Sequence, residues 1–310
     1  MTGKDTLRFT VYAADRTYRT LSDFFIGTIF DPYRDKVLVT GGGSGLGREI
    51  AIQFKNTSAT VIVLDVSIPD EDDENYIPGV KYYKCDVSKR SEVIKIGRLI
   101  KDEIGDVAVL INNAAITNGK AILDIDFEDI EKTVQVNLLS SFYTIKTFLP
   151  DMIKNKRGYV VTIASVLGYM SPARLSAYGA SKSGLIALHE SLTYELGPPA
   201  FTANGVKTLL VCPGQMKTNM FKGVKTPSTL LAPELDPKYV AKSVLKAVFM
   251  GRRGEIKLPF YSNFIPLFRA MPWPVVEVAR CFSGIDQSMR KFAGQTKTAS
   301  LASNSEKVGQ

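Results

Sequence analysis

Cysteine is scarce: the chain holds three, Cys85, Cys212 and Cys281, far apart and odd in number. That excludes a disulfide framework, indicates no metal site, and makes an intracellular, reducing compartment the natural setting. No basic start followed by a long apolar run marks a secretory signal. Residues 21–30 (LSDFFIGTIF) are apolar but too short, and too interrupted by Asp23, to span a bilayer. They read either as an interfacial anchor or as a helix packed on the domain. The net charge of +8 raises nucleic acid and anionic membrane surfaces as partners. Runs of Lys or Arg and zinc-finger spacings are both lacking, so no nucleic acid is expected. With 310 residues and 45% hydrophobic content, one domain of about 250 residues with extensions fits best.

What is present is organised around Ala177-Tyr178-Gly179-Ala180-Ser181-Lys182. Tyr178 and Lys182 are four residues apart, so a helix opened by Tyr178 sets both side chains on one face. A phenol, with its ordinary pKa near ~10, is a poor base at neutral pH, but a neighbouring ammonium favours the phenolate. The pair reads as a proton-transfer device, against the plainer alternative of a solvated Tyr and Lys. Ser165 ends the apolar stretch 158–164 (GYVVTIA), a buried strand that delivers its hydroxyl beside Tyr178.

Upstream, the strand 36–40 (KVLVT) runs into Gly41-Gly42-Gly43-Ser44-Gly45-Leu46-Gly47 and then a helical pattern. Glycines at 41, 45 and 47 permit a tight turn, close approach of the backbone to a pyrophosphate, and close helix packing. The next strand, 59–64, ends in Asp65. A carboxylate there accepts the ribose hydroxyls of an adenosine and repels a 2′-phosphate, which favours NAD over NADP. A third short strand, 81–84, leads to Asp86-Val87, where Asp86 is suited to an adenine amino group, and Ser88 is expected to cap the following helix. The wholly apolar strand 107–111 delivers Asn112-Asn113-Ala114-Ala115 to the sheet edge. A helical region over 126–154 contains Asn137, and a strand at 206–211 precedes Cys212-Pro213-Gly214. This alternation specifies an α/β fold, a doubly wound parallel sheet of Rossmann type with helices on both faces.

Over residues 36–259 the chain resembles the short-chain dehydrogenase/reductase family. The resemblance rests on TGGGSGLG at 40–47, Asp86-Val87, NNAA at 112–115, Asn137, Ser165 with YGASK, and PGQMKT at 213–218. It implies that Ser165, Tyr178 and Lys182 form the catalytic core. Asn137 would hold a water linking Lys182 to solvent, and Asn113 would support the cofactor pocket beside Ala114. Thr218 and the backbone at Met216, after Pro213 and Gly214, would grip the nicotinamide carboxamide. Ala115 stands where the family more often has glycine, which narrows the groove slightly. A homo-oligomer formed through the helices around Asn137 and Tyr178 is likewise implied.

Ionised Tyr178 would take the proton of an alcohol while a hydride passes to the nicotinamide, and reduction would be the reverse. The only histidine, His189, lies about two turns beyond Lys182 and reads as a packed residue. Specificity is expected from residues 166–176, 215–235 and the C-terminal extension. Leu167, Tyr169, Met170, Met220, Phe221, Leu230 and Leu231 outnumber the charged Arg174 and Lys222, so a lipophilic substrate is favoured. The extension over 260–293 is rich in aromatics and prolines; it suits either a lipid surface or a cover packed on the domain. From residue 237 onward the chain resembles the retinol and hydroxysteroid dehydrogenase branch, which implies peripheral association with endoplasmic reticulum or lipid droplets. The tail over 294–310 reads as disordered. The rival function is a dinucleotide-binding scaffold that works through protein or membrane contacts.

Overall fold

The computed structural model describes residues 30–197, 205–221, 223–224 and 233–292, with backbone alone at 290 and 291. Among the described residues, seven strands form one sheet: β1 (Lys36–Thr40), β2 (Thr60–Asp65), β3 (Lys81–Lys84), β4 (Val109–Asn112), β5 (Gly158–Ile163), β6 (Val206–Pro213) and β7 (Gly254–Leu258). Their order is β3-β2-β1-β4-β5-β6-β7 and every pairing is parallel. The chain leaves β1 towards β2 and later returns to β4 on the other side, so the direction of winding reverses between β1 and β4. Ligands of open α/β sheets bind in the crevice at such a reversal, beyond the carboxyl ends of the strands.

Both faces of the sheet are covered, which is why its central strands are apolar at successive positions. Alternate residues separate cleanly. Val37, Val39, Val61, Val63, Val109 and Ile111 pack with α1 (Gly45–Lys55) through Ile50 and Phe54. Leu38, Ile62, Leu64, Leu110 and Val160 pack on the other side with α2 (Arg90–Glu103) through Val93 and Ile100. At the N-terminal edge, Phe30 is buried edge-on against Phe54 and Phe249 at 5.4 and 5.0 Å. Asp35 accepts two bonds from the Arg157 guanidinium at 2.6 and 2.8 Å. The described end of the N-terminal extension is therefore packed on the domain; residues 1–29 lie outside the described residues.

The long helical region divides into α3 (Phe127–Val134), a π-helical turn over Gln135–Leu139, and α4 (Ser140–Lys154). Such a turn within a helix frequently marks a functional site, and this one contains Asn137. Helix α5 (Ser176–Leu196) begins two residues before Tyr178, so Tyr178 sits in the first turn rather than opening it. Ser88 does not cap α2. Its hydroxyl donates to Asp86 at 2.6 Å, and Lys89 occupies the cap position without a side-chain capping bond.

After α6 (Pro237–Phe249) and β7, the C-terminal extension runs through short 3-10 turns, Phe260–Asn263 and Ile265–Ala270, then α7 (Trp273–Ser283) and Ile285–Lys291. Ile265 and Met289 point inward and are buried, whereas α7 buries no residue.

Candidate active site

Ser165, Tyr178 and Lys182 converge at the carboxyl end of β5. The Ser165 hydroxyl accepts from the backbone N–H of Leu167 at 3.1 Å and donates to the carbonyl of Pro213 at 3.4 Å. Tyr178 is 6% exposed and Lys182 2% exposed. The Lys182 ammonium lies 5.7 Å from the centre of the Tyr178 ring and donates to the carbonyl of Ile163 at 2.9 Å.

The electrostatics differ from the sequence expectation. Burial raises the Tyr178 hydroxyl to about 12, with the Ser165 hydrogen bond acting in the opposite direction. Burial also lowers Lys182 to about 8. A low-dielectric surrounding disfavours the charged form of each group, and the nearby Cys212 thiol adds to the rise at Tyr178. Tyr178 therefore keeps its proton at neutral pH.

Asn137 is buried and fully engaged through its side chain. Its amide oxygen accepts from Ile116 N–H at 2.8 Å, and its amide nitrogen donates to the Ile116 carbonyl at 2.9 Å and to the Ser181 hydroxyl at 3.1 Å. It thus joins the segment after β4 to the residue preceding Lys182. Asn113 does the corresponding work at the reversal point: its amide donates to the carbonyls of Thr40 and Gly41 at 3.0 and 3.1 Å. The Thr40 hydroxyl accepts from the backbone of Asn113 and Ala114 at 3.0 and 3.1 Å. Sequence reasoning passed over Thr40, whose hydroxyl ties the ends of β1 and β4 together.

The glycine loop is closed too tightly for a side chain at Gly41 or Gly47. At Gly47 a Cβ would lie 2.1 Å from the Gly41 carbonyl oxygen and 2.5 Å from the Asn113 amide; at Gly41, where φ is +65°, it would lie 2.8 Å from the Ala114 backbone. Ser44 precedes α1, and Gly45, Leu46 and Gly47 form its first turn, whose N–H groups have no intrahelical acceptor and suit a pyrophosphate. The Leu46 side chain is buried in the core, so only its backbone serves the loop. Across the cleft, the Thr218 methyl lies 3.9 Å from where a Cβ on Gly45 would stand. Thr218 N–H donates to Met216 at 2.9 Å, and Gly214 N–H donates to Leu258 at 2.7 Å, fixing the segment after β6.

Asp65 holds the loop from below. One carboxylate oxygen accepts from Gly43 N–H at 2.9 Å and the other from Ser67 N–H at 3.1 Å. Asp86 accepts from Ser88 and, at 2.9 Å, from Lys132. Burial works to raise its pKa, but these hydrogen bonds outweigh it and hold the carboxyl below its ordinary value. Val87 is buried beside it. These residues fit a dinucleotide: a cradle that only glycine allows, a helix start for phosphate, and carboxylates for ribose and adenine.

Of the residues expected to shape specificity, Leu167, Met220 and Phe221 pack around Tyr178, with the Phe221 ring edge-on at 5.7 Å. Tyr169 turns away to donate to Glu255, and Arg174 is exposed in the left-handed region, φ +69°. Lys222, Leu230 and Leu231 lie outside the described residues. Met289 and Phe292, from the far end of the chain, join the cluster at Tyr178; a lone Met and Phe in a polar stretch carried no signal. His189 is packed, as expected. Its Nδ1 is 3.4 Å from the Thr162 hydroxyl, its Nε2 has no partner, and burial lowers its pKa to about 4.

Comparison with known proteins agrees with this geometry. Residues 35–228 match the family described as short chain dehydrogenase. The chain is 37% identical over 252 residues to the uncharacterized oxidoreductase YDL114W of Saccharomyces cerevisiae, covering 80% of this chain and 82% of that one. It is 33% identical over 295 residues to retinol dehydrogenase 10 of Homo sapiens, covering 84% and 86%. A crystal structure of a short-chain dehydrogenase from Streptomyces avermitilis superposes with a TM-score of 0.66 at 25% identity, covering 80% of this chain and 96% of that one. The chain belongs to the short-chain dehydrogenase family, whose oxidoreductases bind a nicotinamide dinucleotide.

Proposed function

We propose that this protein interconverts a lipophilic alcohol and its ketone or aldehyde, with NAD preferred over NADP and Tyr178 as the acid and base. The observation that carries the reading is the setting of Tyr178: it shares a buried apolar cluster with Leu175, Val224 and Met289, flanked by Leu167, Met220 and Phe221. An oxygen that meets this hydroxyl arrives attached to apolar groups. Relatives named retinol dehydrogenase support a retinoid-, steroid- or fatty-alcohol-like compound. The bound dinucleotide supplies or accepts the hydride.

The chain's own residues handle the proton. Tyr178, protonated at neutral pH, gives its proton to the carbonyl oxygen in reduction and takes it back in oxidation. Ser165 orients the same oxygen. Lys182 offsets the charge of the phenolate and would hydrogen-bond the ribose of a bound nicotinamide. Asn137 keeps the segment around Ile116 docked against α5. Asp65 supports the choice of NAD, because a 2′-phosphate placed against its carboxylate would meet like charge.

A lipid surface is part of the same reading. Phe260, Phe264, Leu267, Trp273, Val278 and Phe282 all face outward, Phe282 being 88% exposed. Among the described residues no helix is long and apolar enough to cross a membrane. Peripheral binding at endoplasmic reticulum or lipid droplets would place the site near an apolar substrate.

The test is turnover of a panel of apolar, sugar and carboxylate alcohols with each dinucleotide. Activity concentrated on apolar alcohols with NAD supports the proposal. Activity confined to sugars or carboxylates contradicts it.

A further inference from the structure

The C-terminal extension crosses back over the catalytic tyrosine. Three side chains tie it to the loop between Ser165 and Tyr178. Arg269 donates to the carbonyls of Tyr169 and Gly168 at 2.7 and 3.1 Å. Arg280 donates to the Ser171 carbonyl at 3.0 Å and pairs with Asp286. Asp286 in turn accepts from the Ala173 N–H at 3.0 Å. Beyond these ties, Ile285–Lys291 carries Met289, 2% exposed, into the cluster that contains Tyr178. Phe292 packs on the same cluster and reaches Gly119, in the segment after β4. A Cβ on Gly119 would lie 2.3 Å from the Phe292 ring, and the glycine's φ is +64°. The strap therefore runs from its ties on the loop between Ser165 and Tyr178 to Gly119 in the segment after β4, packing Met289 and Phe292 into the cluster that holds Tyr178.

We propose that residues 285–292 are the roof of the substrate site, and that Met289 and Phe292 select the apolar part of the substrate. The proposal rests on Tyr178 being the acid and base of an alcohol oxidoreductase. A substrate oxygen that reaches Tyr178 brings its substituents into the space these two side chains border. A long apolar substituent gains their contact; a substrate that ends short of them does not. Contacts of this size are worth about tenfold or more in kcat/KM. The ties through Arg269, Arg280 and Asp286 keep the roof registered on the loop that carries Ser165, so substrate shape is read at the reacting oxygen.

The experiment compares the wild type with Phe292→Ala and Met289→Ala, using isopropanol and a secondary fatty alcohol, with NAD affinity measured by titration. The ratio of kcat/KM for the long alcohol to that for isopropanol is expected to fall at least ~10-fold, with NAD affinity unchanged. An unchanged ratio, whether both alcohols suffer equally or neither does, overturns the proposal. A second readout needs no turnover. Cys85 and Cys212 are buried and Cys281 is exposed, so Tyr178→Cys in a Cys281→Ser background places one reportable thiol beneath the roof. Adding Met289→Ala and Phe292→Ala is expected to speed its labelling by a small maleimide at least ~10-fold. Equal labelling rates overturn the roof even if alcohols are turned over. Faster labelling, together with a wild type that oxidises no alcohol of the panel, supports the roof and overturns the dehydrogenase reading instead.

Discussion

Lys182 directs its ammonium to the carbonyl of Ile163, at 2.9 Å, while standing 5.7 Å from the centre of the Tyr178 ring. The pair is one helical turn apart and wholly enclosed, so each group's titration is governed by lost solvation. Tyr178 rises to about 12 and Lys182 falls to about 8.

Different pH profiles for the two directions of reaction follow. Reduction needs the Tyr178 proton, which is held across the neutral range, so its kcat/KM is expected to be flat from about pH 6 to pH 8. Oxidation needs that proton removed, so its kcat/KM is expected to climb with pH and still be rising at about pH 9. A maximum for oxidation below neutrality would contradict the assignment of Tyr178 as base.

Asp65→Ala removes a negative charge and two hydrogen bonds that hold Gly43 and Ser67. The ratio of NADP to NAD dissociation constants is expected to shift towards NADP by about 10-fold, in line with one charged hydrogen bond. Calorimetric titration of both dinucleotides measures it. A wild type that already binds NADP more tightly would show that Asp65 does not face the ribose.

Gly47→Ala puts a methyl group 2.1 Å from the Gly41 carbonyl oxygen. The loop can relieve that contact only by moving away from Asn113, so a stability loss of about 1–3 kcal/mol is expected together with weaker dinucleotide binding. Thermal unfolding with and without NAD separates the two effects: the cofactor's stabilising increment should shrink as well as the baseline.

His189 supplies a pH dependence of stability. Its folded pKa is about 4 against an unfolded value near ~6.5, so below that value the unfolded chain binds the extra proton. Stability is expected to fall as pH drops from about 6.5 towards 4 and to level off below. His189→Gln should flatten this part of the profile in urea denaturation at several pH values. An unchanged slope would assign the acid sensitivity to other groups.

The strands, their parallel arrangement and the glycine loop were legible because each is a local pattern. Runs such as VIVL in β2 are apolar on both faces, and glycine spacing requires no knowledge of distant residues. The Tyr178-Lys182 pairing was legible for the same reason, since four residues make one turn. The direction of the Tyr178 shift was not, because it depends on burial by Phe221 and Met289, residues far away in the chain. Ser88 misled because a serine before a helix can cap it or bond a nearby carboxylate, and Asp86 offered the better acceptor. Strand β7 (GEIKL) buries only Ile256 fully, so alternation gave little notice of it. The Thr40 and Gly119 contacts arise from elements brought together only by the winding of the sheet.

The central claim is that Tyr178 transfers the proton in an NAD-linked alcohol oxidation, and Tyr178→Phe tests it most directly because it deletes one hydroxyl from a packed ring. NAD affinity is expected to stay near that of the wild type while turnover of the best apolar alcohol falls by at least ~10². Turnover retained within a few-fold, with NAD still bound, would contradict the account.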